Sequence, residues 1–167
     1  MQLRHDKKDF ERTVRAFSAD LYRFAYWLCR DRFLAEDLVQ EAFARGWRNW
    51  SELRDPSLAK AWLMTILRHE YARTFGRNRL DVVHEADESE LPSIPSFERG
   101  LELDQILAML PMSYREPLLL QTIGGFSCRE IAAMLATSEG AVMTRLTRAR
   151  QALRAQFADA DRKRARK

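Results

Sequence analysis

The chain of 167 residues has few cysteines and no long apolar run. Its two cysteines, Cys29 and Cys128, lie far apart and have no histidine or cysteine cluster beside them, which favours free thiols over a disulfide or a metal site. No segment approaches the roughly 18 apolar residues of a membrane span. The first residues, MQLRHDKKDFER, lack the apolar stretch of a signal peptide, so the expected location is the cytoplasm.

Catalytic signatures are also missing. The sequence has no glycine-rich phosphate loop and no nucleophile motif, and its three histidines, His5, His69 and His84, are scattered. We therefore expect no catalytic residue, no metal site and no cofactor, and we do not expect an enzyme.

What the chain does contain is apolar residues at helical spacing and an uneven charge. Hydrophobic residues make up 46% of the sequence, enough to bury cores, and long strand-like alternation is absent. Residues 81–98 hold six acids and no Lys or Arg, so the rest of the chain carries +4 − (−6) = +10. Two basic lobes joined by an acidic tether indicate a polyanionic partner.

This pattern predicts an all-α protein with two small helical domains and a flexible acidic linker. The expected boundaries are a first domain over 8–79, a linker over 80–97, a second domain over 98–157 and a charged tail over 158–167. By itself, the linker could equally be a self-repelling spacer.

The first domain shows three helical stretches. The predicted apolar positions are Phe10, Val14, Phe17, Leu21, Phe24 and Leu28 on the first, Leu38, Val39, Ala42, Phe43 and Trp47 on the second, and Leu58, Trp62 and Ile66, with Leu63 as a further candidate, on the third. Asp55 followed by Pro56 is typical of the start of a helix.

The most informative segment is 127–154, which reads as a helix-turn-helix. Ser127 and Glu130 form an S-x-x-E capping box at the start of the first helix. The second helix has an apolar stripe of Val142, Leu146, Ala149 and Leu153 and a basic, polar face opposite, which suits the DNA major groove. A helical hairpin with a solvated basic face is the alternative.

Together, three segments resemble the extracytoplasmic-function (group 4) sigma factors of the sigma-70 family. They are AEDLVQEAF (35–43), AWLMTILRHEYAR (61–73) and the stretch from LPMSYREPLLLQ to TRARQALR (110–154), in the family's order and spacing. The sequence departs from the usual pattern at His69, Arg73, Ala136 and Ser138, which leaves the promoter sequence open.

The resemblance implies that the second helix docks on core RNA polymerase, at the coiled coil of the largest subunit, with the flap as a further contact. The residues that match the docking face are Asp37, Gln40, Glu41, Arg45 and Arg48. A mixed-charge face suits specific, reversible docking, although an ordinary solvated helix face has the same composition.

The resemblance also implies promoter recognition by both domains. The first would hold unstacked bases of the minus-ten element. Its candidate contacts are Leu53, Arg54, Asp55, Arg68, His69, Arg73, Arg77 and Arg79. The second would read the minus-thirty-five element in the major groove. Its candidates are Arg129, Ser138, Glu139, Gly140, Thr144, Arg145, Thr147 and Arg148.

Regulation and assembly follow from the same resemblance. It implies an anti-sigma factor as a partner, a monomer when free, and a linker that threads toward the active-site and RNA-exit channels of the polymerase. The competing interpretation is an autonomous helix-turn-helix regulator that binds operators as a dimer, which the second domain alone would permit.

Overall fold

The structure is a computed structural model that describes residues 2–75, 91–94 and 101–164. These residues form seven α-helices and two 3-10 helices, and no strand, so the all-α prediction is confirmed. The α-helices are α1 (Gln2–Cys29), α2 (Arg32–Arg48), α3 (Ala59–Phe75), α4 (Leu103–Met109), α5 (Met112–Thr122), α6 (Cys128–Met134) and α7 (Glu139–Arg164). The 3-10 helices are Trp50–Glu52 and Pro56–Leu58. Arg77, Arg79 and most of the predicted linker lie outside the described residues.

The first domain is built from α1, α2 and α3, which pack against one another. Arg30 ends α1 in the left-handed region with φ of 58°, and Asp31 caps α2 by accepting a hydrogen bond from the Leu34 N–H at 2.9 Å. Gly46 lets α2 approach α3 closely, because a Cβ there would lie 2.7 Å from Cδ2 of Leu63.

The buried face of α3 differs from the predicted one. Leu63, Met64, Leu67 and Tyr71 are buried, whereas Leu58 is 51% exposed and Trp62 and Ile66 are only partly buried. The apolar residues of α3 nearly encircle it, so periodicity alone does not select a face. Trp47, predicted to be buried, is 43% exposed and instead packs at the rim, where its ring centroid lies 5.3 Å from that of Phe10.

The second domain contains α4 to α7. The predicted capping box is present, because Ser127 Oγ accepts from the Glu130 N–H while the Glu130 carboxylate accepts from the Ser127 N–H. Ala136 takes φ of 50° in the turn between α6 and α7, a conformation that glycine adopts without strain.

The two domains pack directly on each other. Helix α5 contacts α1, α6 contacts α3, and the buried side chains of both domains form one continuous apolar cluster. Leu91 and Ile94 of the linker join this cluster, and the hydroxyl of Tyr114 donates to the carbonyl of Pro92 at 2.7 Å. Among the described helices, none is long and apolar enough to cross a membrane.

Candidate functional site

The five residues predicted to dock on polymerase lie together on the outer side of α2. Asp37, Gln40 and Arg48 are exposed, and Glu41 and Arg45 are half-buried. Glu41 is central to this face, because its Oε1 accepts from Nε of Arg45 at 2.9 Å and from Nη2 of Arg48 at 3.3 Å. The hydrogen bond from Arg45 holds the pKa of Glu41 below its ordinary value, so the carboxylate is charged at pH 7.

A buried carboxylate on α3, that of Glu70, extends this network of ion pairs. Oε1 of Glu70 lies 2.6 Å from Nε of Arg45, and Oε2 of Glu70 lies 2.5 Å from Nη2 of Arg73. Sequence reasoning missed Glu70, although an acid one turn after Leu67, on the buried side of α3, is the signal for a paired internal carboxylate.

Arg73 lies beside the predicted docking residues of the first domain. A groove of about 560 Å³ between α2 and α3 is lined by Arg73 and Glu70 together with Asp37, Gln40 and Glu41. The sequence predicts Arg73 among the minus-ten contacts, whereas the structure brings it together with the residues predicted to dock on polymerase.

The loop that leads into α3 borders a second cavity, of about 710 Å³, against α1. Leu53 lines this cavity, and Arg54 and Asp55 are exposed beside it in sequence. The Asp55 carboxylate accepts from the Ser57 hydroxyl at 2.7 Å and from the Ser57 N–H at 2.9 Å, and these bonds, the hydroxyl one most strongly, lower the pKa of Asp55 and fix the turn. An open cavity beside a fixed loop has room for an unstacked base.

Two predicted minus-ten residues in the middle of α3 have different surroundings. Arg68 is nearly covered, because it pairs with the Glu116 carboxylate of α5 and donates from Nη1 to the carbonyl of Met134 at 3.3 Å. His69 is exposed, and desolvation, assisted by the charge of Arg68, lowers its pKa. The lowered pKa favours the neutral imidazole, which can both donate and accept a hydrogen bond, and the contact of His69 with DNA stays a prediction.

The helix-turn-helix presents most of its predicted DNA contacts to solvent. Arg129, Ser138, Glu139, Gly140 and Thr147 are exposed, and Thr144 and Arg148 are half-buried. Ser138 also caps α7, because its hydroxyl accepts from the Ala141 N–H at 3.1 Å.

Arg145 is a correction to the predicted DNA-binding face. Its residue is 1% exposed, and neither its Nε nor its Nη1 has a hydrogen-bond partner among the described residues. The reason is helical register, since position 145 lies three residues after Val142 and four before Ala149, on the buried stripe. Burial lowers the pKa of Arg145, and the same burial keeps its side chain from contacting DNA in this structure.

Glu116 links the two domains. Burial raises the pKa of this carboxyl, while the charges of Arg68 and Arg145 oppose the shift. Nearby, Nη2 of Arg30 lies 3.0 Å from Oδ2 of Asp104, and Nζ of Lys60 lies 5.8 Å from the ring centroid of Phe126. In this closed arrangement, Arg68 is held by the second domain and is unavailable to DNA. Across the described residues, no group of three or more potential metal ligands occurs.

Comparison with known proteins identifies both domains. Residues 13–86 match the model for sigma-70 region 2, and residues 100–153 match the model for sigma-70 region 4. The chain is 35% identical to the ECF RNA polymerase sigma factor EcfG of Rhodopseudomonas palustris over 81% of this chain and 77% of that protein. It is also 35% identical to the ECF RNA polymerase sigma factor SigL of Mycobacterium tuberculosis, over 82% of both chains.

A solved structure supports the same assignment. The sigma factor RpoE of Bartonella quintana, in complex with the anti-sigma factor NepR, is 29% identical and superposes with a TM-score of 0.70, over 90% of this chain and 98% of that one. With both domain models matched in order and a relative at 35% identity across most of the chain, the protein belongs to the extracytoplasmic-function sigma factors of the sigma-70 family.

Proposed function

We propose that this chain binds core RNA polymerase and directs transcription to promoters through the minus-ten and minus-thirty-five elements. The observation that carries the proposal is the presence, in one chain, of an exposed mixed-charge face on α2 and an exposed recognition helix, α7. Neither surface is built for catalysis, and their pairing suits a factor that positions an enzyme on DNA.

Each surface has a defined role in this proposal. The α2 face docks on the coiled coil of the largest subunit, and the second domain reaches the flap and the minus-thirty-five element. Thr144, Thr147 and Arg148 face base edges, while Ser138, Glu139 and Gly140 place the start of α7 against phosphate. Arg129 on α6 positions the helix-turn-helix by contacting the DNA backbone.

The minus-ten element is proposed to bind beside Leu53, Arg54 and Asp55, with one unstacked base in the cavity next to the loop. His69 and, after the domains separate, Arg68 supply further contacts on α3. Arg77 and Arg79 remain candidates from the sequence alone. The acidic linker enters the basic channels of the polymerase.

Control by an anti-sigma factor is part of the proposal, since a relative in this family has been solved in complex with one. A partner that stabilises the packing of α5 on α1 would keep Arg68 covered. It would also hold the two DNA-binding surfaces in an arrangement that does not match the two promoter elements. The factor acts on the chromosome, so the proposed location is the cytoplasm, and the free form is a monomer.

The test compares DNA binding by the chain alone and by the chain with core polymerase. Genomic fragments from the source bacterium are recovered with each sample, and the enriched fragments are footprinted. We expect weak binding by the chain alone and strong, position-specific footprints over two elements with core enzyme, because the polymerase presents both domains at a fixed spacing. Footprints of a palindromic site by the chain alone, at nanomolar concentration, would instead establish a dimeric operator-binding regulator.

A further inference from the structure

The groove between α2 and α3 joins residues that the sequence assigned to different partners. Asp37, Gln40 and Glu41 come from the predicted polymerase face, and Arg73 comes from the predicted minus-ten contacts. Glu70 lies between them with its side chain only 4% exposed. Its two oxygens are each engaged by a guanidinium, which fixes the positions of Arg45 and Arg73 relative to each other.

Arg73 is held in place and still accessible. Both its Nε and its Nη2 donate to Oε2 of Glu70, at 3.1 and 2.5 Å, and its side chain is 64% exposed. Nη1, on the outer edge of the guanidinium, has no hydrogen-bond partner among the described residues, so this edge can take a planar, acidic acceptor. An arginine preset in this way loses less conformational entropy when it binds than a free one does.

The charge in the groove favours a protein partner over nucleic acid. Three carboxylates, Asp37, Glu41 and Glu70, line the groove with the guanidinium of Arg73. Glu41 and Glu70 are ion-paired with arginines, whereas Asp37 is exposed and makes no ion pair with the described residues. A phosphate backbone would approach the unpaired Asp37 carboxylate here, whereas a protein segment with both signs of charge could satisfy Asp37 and Arg73 together.

We propose that Arg73 is a polymerase-docking residue positioned by Glu70, and that the groove takes a mixed-charge protein segment of core polymerase. That segment presents a basic side chain to Asp37 and an acidic side chain to Arg73. The inference rests on the proposed function and extends the docking face from α2 onto α3. It removes Arg73 from the minus-ten contacts.

The chain offers a closely matched control for Arg73. Arg23 on α1 pairs with Asp20 three residues before it, as Arg73 pairs with Glu70, and its side chain is 66% exposed. Arg23→Ala therefore removes an equally exposed arginine from an ion pair of the same spacing, at a place outside the groove.

The experiment measures the dissociation constant of the full chain for core polymerase by fluorescence anisotropy, for wild type, Arg73→Ala and Arg23→Ala. We expect Arg73→Ala to weaken binding about tenfold, the scale of one lost charge-assisted hydrogen bond, and Arg23→Ala to bind as wild type. Arg73→Lys keeps the charge but not the paired geometry, so its affinity should fall between those of wild type and Arg73→Ala.

Glu70 is tested through its dependence on Arg73. Glu70→Gln should weaken core binding in the wild-type background and have a smaller effect in Arg73→Ala, because a positioning residue acts through the residue it positions. Thermal unfolding of each variant separates this coupling from loss of fold. If Glu70→Gln weakens core binding equally in both backgrounds, Glu70 has only a structural role and its proposed positioning role is wrong.

Two further outcomes distinguish a failure of the Arg73 assignment from a failure of the proposed function. If wild type binds core polymerase and Arg73→Ala binds equally well, the docking role is wrong. In that case, reduced binding of the Arg73→Ala holoenzyme to the promoter strand would return Arg73 to the DNA contacts. If the folded wild-type chain does not bind core polymerase, the proposed function fails and the inference fails with it.

Discussion

Arg145 and Arg148 lie three positions apart on the recognition helix, in opposite environments. Arg145 is 1% exposed with two guanidinium nitrogens that lack a partner among the described residues, whereas Arg148 is half-buried and opens to solvent. A buried cation with unmade hydrogen bonds costs stability, and an arginine at the surface of α7 does not. The same residue type therefore has a structural cost at 145 and a proposed binding role at 148.

This difference predicts that Arg145→Met does not destabilise the protein. Methionine fills a similar volume without a charge or unmade hydrogen bonds, so the free energy of unfolding should rise by about 1 kcal/mol. Urea denaturation followed by circular dichroism measures the change. A clear fall in stability would show that Arg145 makes a favourable ion pair with Glu116.

For Arg148 we expect a loss of promoter recognition alone. Arg148→Ala should weaken binding of the holoenzyme to minus-thirty-five DNA by about 1–3 kcal/mol, the value of one arginine contact to a base. Its affinity for core polymerase should stay unchanged. Reduced core binding would mean that the roles of the two domains are wrongly assigned.

For individual residues, the sequence predicts which side chains share a face of α2, but it does not predict which buried charged side chains pair. Asp37, Gln40 and Glu41 share a face because of their spacing, and no other element is needed to place them. Glu116 was missed because its arginine partner, Arg68, comes from another helix. Glu70 has one partner, Arg73, within its own helix, but its burial depends on packing against α2, where its second partner, Arg45, lies.

Among the elements, α6 shows how local signals fix a helix start. Ser127 and Glu130 satisfy each other's backbone N–H groups, and the two hydrogen bonds to the Glu130 carboxylate, each 2.8 Å long, come from the N–H and the hydroxyl of Ser127. These bonds lower the pKa of Glu130, the backbone one most strongly. The charged form therefore stabilises the start of the helix-turn-helix.

The lowered pKa gives a pH-dependent prediction for Glu130→Gln. Glutamine can still accept the Ser127 N–H, so the substitution isolates the contribution of the charge. Wild type should melt at a higher temperature than the variant at pH 7. The difference should shrink as the pH falls through the lowered pKa of Glu130, because the folded carboxylate is then protonated. A difference in melting temperature independent of pH would contradict this assignment.

The starts of helices that carry a local cap were predictable from the sequence, whereas the buried faces of the helices were less predictable. Ser127 and the Asp55–Pro56 pair mark starts through hydrogen bonds within a few residues, and both caps are present in the structure. The buried face of α3 was not predictable, since apolar residues nearly surround it and only packing against α1 and α2 selects Leu63 and Leu67.

For the whole molecule, the main feature is the closed packing of the two domains. The Arg68–Glu116 and Arg30–Asp104 pairs cross between the domains, beside an apolar cluster that both domains share. Composition predicts the acidic linker and the two basic lobes. It does not predict their closed packing, because that packing depends on contacts between residues distant in sequence.

Removing the arginine of the buried pair should open the molecule. Arg68→Ala leaves the Glu116 carboxylate in an apolar interface without its partner, a change that costs about 3–5 kcal/mol when such a pair is broken. Separation of the domains returns Glu116 to water, so the radius of gyration measured by X-ray scattering should increase. Arg23→Ala, which breaks an exposed pair, should leave the radius unchanged. An Arg68→Ala variant as compact as wild type would show that the apolar cluster alone holds the domains together.

A specificity subunit of RNA polymerase must compete with other sigma factors for the core enzyme, so a competition experiment tests this role of the chain. The purified chain is titrated into core polymerase that carries a labelled housekeeping sigma factor, and release of the label is measured. We expect displacement at submicromolar concentration of the chain, because both factors need the same coiled coil. A folded chain that binds no core enzyme and displaces no label would rule out this role.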